Sequence, residues 1–61
     1  MQEEEYYSVE QVAKLLGLKI PTIREYIKRG DLQAYRFGRV LRIKKVDFIE
    51  FTKSKKIRKD E

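Results

Sequence analysis

The 61-residue chain contains no cysteine and no histidine. Disulfide staples and the common zinc sites are therefore excluded. No apolar run approaches the ~20 residues that span a bilayer. Met1–Tyr7 carries no secretory signal, so a soluble, cytoplasmic, nucleoid-associated chain with no membrane partner is expected. A Gly-rich phosphate cradle is missing too. The carboxylates and lysines form no recognised catalytic constellation, so the expectation is no enzyme, no cofactor and no metal.

Shortness is a further scarcity. A domain of this size buries only about 60% of the surface that its unfolded chain exposes. Without disulfides or a metal, a compact core of Val, Leu, Ile, Phe and Tyr must hold it, with association as the remaining aid.

What the chain has in excess is positive charge. The net value of +5 understates the asymmetry, because Glu3, Glu4 and Glu5 open the chain and Asp60 and Glu61 close it. From Tyr6 to Lys59, fifteen Lys and Arg residues face five acids. A body this basic points to a polyanionic partner. The plainer alternative is a well-solvated surface on a chain of which 41% is charged.

Punctuation divides the sequence into short elements. Residues 1–5 form an acidic lead, expected to be flexible. Ser8-Val-Glu-Gln11 is a capping-box signature, with Tyr7 and Val12 at the positions of a hydrophobic staple. The stripe Val9, Val12, Ala13, Leu16 then fits a one-faced helix over Val9–Leu16, ended by Gly17. A second helix is predicted over Pro21–Arg29, with Pro21 in its first turn and Gly30 as its stop. Ile20, Ile23, Tyr26 and Ile27 share its apolar arc. Two short amphipathic helices joined by a tight, glycine-containing turn describe a helix-turn-helix.

The run Ala34-Tyr-Arg-Phe-Gly-Arg-Val-Leu-Arg-Ile43 holds two β-prone stretches around Gly38-Arg39. Glycine first in a two-residue loop suits a type II′ hairpin, in which Phe37 opposes Val40 and Arg36 opposes Leu41. A third helix is predicted over Val46–Lys53, with Asp47 in its first turn and Phe48, Phe51 and Thr52 on one face. Residues 6–53 thus form one folded domain. Residues 54–61 form a basic tail, expected to be frayed. The predicted fold class is mostly α with a small β-hairpin, a winged helix-turn-helix of order α-α-β-β-α. Tyr26, Phe37, Phe48 and Phe51 are expected in the core, and Tyr6, Tyr7 and Tyr35 half exposed.

The chemistry follows from placing side chains on these elements. An α-helix fits the major groove of B-DNA, and a helix-turn-helix puts its second helix there. The outward residues of that helix are Thr22, Arg24, Glu25, Lys28 and Arg29. Arginine can fork onto guanine, glutamate can accept from cytosine, and threonine can touch a thymine methyl. An ordinary solvated helix face is the alternative. Arg36 and Arg42 on the hairpin strands and Arg39 beside Gly38 at its tip suit phosphate clamping, with the tip able to enter a minor groove. Here the alternative is a charged edge that discourages strand pairing, with Arg36 and Arg42 partly covering the core. A second functional alternative is a protein- or RNA-interaction module whose basic face docks an acidic partner.

The stretches Tyr7–Leu18, Thr22–Gly30, Ala34–Ile43 and Val46–Phe51, in this order and spacing, resemble the excisionase family. These are small winged helix-turn-helix proteins related to the DNA-binding head of the mercury-resistance regulator (MerR) family. The resemblance implies base or backbone contacts by Thr22, Arg24, Glu25 and Lys28, and a wing contact by Arg39. It also implies a role in directing recombination of mobile elements or in transcription. Cooperative copies on tandem sites, DNA bending and an integrase partner belong to the same expectation. The family commonly caps its second helix with Ser or Thr, where this chain has Lys19-Ile20-Pro21. Ile49 stands where a polar residue is usual, and a protein contact there is one reading of it.

Overall fold

The computed structural model describes residues 5–57. Their order is β1 (Tyr6–Ser8), α1 (Val9–Leu16), α2 (Ile20–Arg29), β2 (Tyr35–Phe37), β3 (Val40–Lys44) and α3 (Lys45–Ser54). The fold is a winged helix-turn-helix. The expected flexibility of residues 1–4 and the fraying of residues 58–61 lie outside the described residues.

The capping box at the start of α1 forms as the sequence specifies. Ser8 Oγ accepts from the Gln11 backbone N–H at 3.0 Å, and Gln11 Oε1 accepts from the Ser8 N–H at 2.8 Å. Two otherwise orphaned donors are thereby satisfied, one by the other residue's side chain in each direction. At the other end Gly17 adopts φ 68°, a left-handed conformation that a side chain would strain. This lets the Leu18 N–H reach back to the Ala13 carbonyl at 2.8 Å. The chain then turns at once into α2.

That helix begins differently. Lys19 occupies its N-cap with no side-chain hydrogen bond, and Pro21 lies in the first turn. The turn is held by backbone alone, with the Thr22 N–H donating to the Lys19 carbonyl at 3.0 Å. The helix starts at Ile20, one residue before the predicted Pro21, and α3 runs one residue beyond the predicted span at each end.

The sheet holds the main addition to the sequence reading. Its order is β1-β3-β2, all antiparallel. The hairpin register is the expected one, Phe37 opposite Val40 and Arg36 opposite Leu41. Gly38 has φ 67° and no non-glycine residue has positive φ among those described. Positive φ at the first loop position only is what a type II′ turn requires. The third strand, β1, pairs Tyr6 with Lys44 and Ser8 with Arg42. The Lys45 N–H donates to the Glu5 carbonyl at 2.9 Å, and Lys45 Nζ lies 3.4 Å from Glu5 Oε1. The segment before α1 is thus tied to the start of α3.

Val9, Val12, Ala13, Ile23, Leu32, Ile43 and Phe51 form the buried core. Fully burying an aliphatic side chain contributes about 1.5–3 kcal/mol, so Val12, Ile23, Leu32 and Ile43 carry most of it. Each comes from a different part of the chain: α1, α2, the connection after α2, and β3. One core expectation is corrected, and one member of the apolar arc of α2 is exposed. Phe37 is 55% exposed and Ile20 is 37% exposed. Phe37 belongs to the last strand pair before the turn and alternates onto the sheet face opposite Ile43 and Leu41, away from the helices. Ile20 is the first residue of α2 and opens onto the groove between that helix and the wing. Tyr26, Phe48 and Tyr7 pack partly buried against the core. Tyr7 meets Phe48 edge-on at 5.4 Å, and Tyr26 meets Phe51 at 5.0 Å.

Candidate nucleic-acid interface

Because β-strand side chains alternate, the register of β3 decides what the wing shows to the helices. Ile43 is buried, so Leu41 and its cross-strand partner Arg36 share the helix-facing side of the sheet. At the hairpin end that side runs past the core and meets the N-terminal half of α2. An open groove of about 260 Å³ results. Arg24, Arg36, Arg39 and Arg42 border it, with Ile20 and Leu41 as apolar members, Val40 at the hairpin edge, and Ser8, Val9 and Glu10 from the β1–α1 junction.

The structure brings together Arg24 and all three predicted wing arginines. None of the four makes an ion pair among the described residues. Arg42 is partly satisfied internally, since its Nη1 donates to the Leu41 carbonyl at 2.9 Å. Four arginines bordering one open groove concentrate fixed positive charge there, although the alternation of β3 starts the Arg42 side chain on the face opposite Leu41. Arginine forks match phosphate oxygens and guanine edges in geometry. Glu10 is the sole carboxylate on the groove wall.

The remaining predicted residues of α2 are exposed: Lys28 lies one turn along from Arg24 on the same face, whereas Thr22 and Arg29 face the opposite edge. At about 100° per residue, Arg29 is rotated about 140° from Arg24. Arg29 faces the far edge, with its Nε 3.7 Å from Glu25 Oε2, its Nη1 3.9 Å from Asp31 Oδ2 and its guanidinium 5.9 Å from the centre of the Tyr26 ring. Thr22 and Lys28 are exposed and outside the groove, and Glu25 is exposed and engaged by Arg29. Gly38 shapes the turn that presents Arg39.

Ser8, Glu10 and Ile20 were not among the sequence candidates. Ile20 offered a signal, since an apolar residue immediately before Pro21 is placed at the helix tip by the proline. For Glu10 the sequence offers none, because its neighbours in the groove are strands far along the chain. Among the described residues, no helix is long and apolar enough to cross a membrane, and no cluster of acidic residues could hold a metal ion.

Residues 6–56 match the model of a helix-turn-helix domain family, a group of small excisionase-like DNA-binding domains. A curated relative, the uncharacterized protein YvgK of Bacillus subtilis (strain 168), is 39% identical over 51 residues. That stretch is 84% of this chain and 17% of the length of the Bacillus protein. No solved structure matches the chain.

Proposed function

The chain belongs to the helix-turn-helix domain family, and from that premise we propose that it reads duplex DNA sequence-specifically with α2 in the major groove and the β2–β3 wing in the adjacent minor groove. The observation that carries this reading is the groove in which Arg24 stands with Arg36, Arg39 and Arg42, all without ion-pair partners among the described residues. Arg24 and Lys28, one turn apart on the same face of α2, approach base edges with Glu25 beside them, while Thr22, rotated about 160° from Arg24, contributes from the edge that Arg29 occupies. Arg39 enters the minor groove from the tip. Arg36 and Arg42 hold phosphates between them, and Arg29 contributes from the far edge.

The biological role we propose for this domain is excisionase-like control of recombination or transcriptional regulation, with kinship to MerR-type heads. Cooperative copies on tandem sites and an integrase are the protein partners that such a role implies. No enzymatic step is assigned to the chain.

Selection of bound duplexes from a random library, followed by footprinting, tests the reading. A defined site protected over both a major groove and the neighbouring minor groove is expected. Failure to retain any duplex at low salt would overturn it and would favour a basic face that docks an acidic protein or an RNA.

A further inference from the structure

Phe37 and Val40 are a cross-strand pair, so their side chains stand on the same face of the wing. They close the two-residue turn that presents Arg39, which makes an apolar and a cationic group contiguous at the tip. Phe37 is 55% exposed and Val40 is 41% exposed. In a chain whose buried core has seven members, leaving a phenyl ring outside is costly. It contributes nothing to the packing of the helices.

The ring is nonetheless held in place. Tyr6 meets it edge-on, with centroids 5.8 Å apart and planes at 88°. Tyr6 reaches it from β1, across the sheet, on the face away from Ile43 and Leu41. Phe37 is thus braced from one side and open on the other. An exposed phenyl next to a guanidinium matches the chemistry of a minor-groove wedge. Proteins that enter that groove insert apolar side chains between base pairs and kink the duplex by about 20–90°.

We infer that Phe37, with Val40 beside it, is an apolar wedge that inserts at a base step beneath the wing, and that Tyr6 is its positioning residue. This rests on the wing-in-minor-groove reading above. Unstacking is easiest at pyrimidine–purine steps, TA and CA/TG. The wedge therefore also selects sequence at a position where no hydrogen bond reads a base.

Permanganate oxidises thymines that have lost their stacking partners, and the test uses the duplex selected by the intact chain. The intact chain is expected to raise thymine reactivity several-fold at one pyrimidine–purine step under the wing. Phe37→Thr keeps a strand-forming residue and should still bind while losing that reactivity; Phe37→Leu should retain it. A second arm leaves the protein unaltered. Replacing the step by stiff ApA should lower affinity about tenfold, the scale of one unfavourable base-pair change. Bound duplex without a reactive thymine, equal reactivity with Phe37→Thr, or equal affinity for the ApA duplex would each overturn the wedge and leave the DNA-binding reading standing. Absence of binding by the intact chain would overturn both.

Discussion

Arg24 and Arg29 stand on one helix five residues apart, and their surroundings differ completely. Arg24 faces the wing, beside three other arginines and without a carboxylate partner among the described residues. Arg29 lies near Glu25, Asp31 and the Tyr26 ring. The same polarity extends across the molecule. On the far side, Lys55 covers Tyr26 and Phe51 at 5.3 and 5.6 Å, and Lys53 approaches Glu50 at 4.0 Å. Cations on that side are engaged by carboxylates and rings, whereas on the wing side Arg24, Arg36 and Arg39 have no ion-pair partner among the described residues and Arg42 is held by the Leu41 carbonyl. Residue type alone would rank the two arginines equally; partners separate them.

Ways to break this contrast range from removing its frame to trimming its edges. The largest effect is expected from Ile23→Ala, since Ile23 is fully buried between the two edges of α2. Such truncations cost about 2–5 kcal/mol, enough in so small a domain to abolish a cooperative melt by circular dichroism. Next, Arg39→Ala should weaken binding to all duplexes by about tenfold in fluorescence anisotropy, whereas Arg24→Ala or Glu25→Ala should shift sequence preference. Ser8→Ala removes one half of the capping box and should cost about 1 kcal/mol in chemical denaturation. Lys19→Ser asks the reverse question at the uncapped start of α2 and should gain somewhat less than that. Arg29→Ala should be smallest. Its pairs with Glu25 and Asp31 are solvent-exposed and worth at most a few tenths of a kcal/mol, so the melting temperature should barely move.

These contrasts were partly legible in the sequence. Ser8 and Gln11 announce α1 because a cap acts through neighbours three residues apart. Gly38 announces the hairpin and its register for the same local reason. The strand Tyr6–Ser8 could not be read, because three residues show no alternation and their partners at Arg42–Lys44 lie far along the chain. Leu32 went unmarked because it sits alone between elements, with no periodic companions, yet it is fully buried. Phe37 lies outside the core because apolarity alone cannot tell a buried side chain from one on the outer face of a hairpin, and Ile20 shows that sharing an apolar arc does not guarantee burial at a helix end. The candidate site shows the same limit. Its residue types were legible, but the grouping of Arg24 with the wing, and the separation of Arg29 from it, depend on how β3 aligns against α2.

The most direct test of that separation is the salt dependence of duplex binding for the intact chain, Arg36→Ala/Arg42→Ala and Arg29→Ala. Each phosphate neutralised contributes a slope of about −0.9 to log affinity against log salt. The account predicts a slope shallower by one to two such increments, with markedly lower affinity, for the groove double variant, and values near those of the intact chain for Arg29→Ala. Equal losses in the two variants, or an intact-chain affinity indifferent to salt, would contradict it.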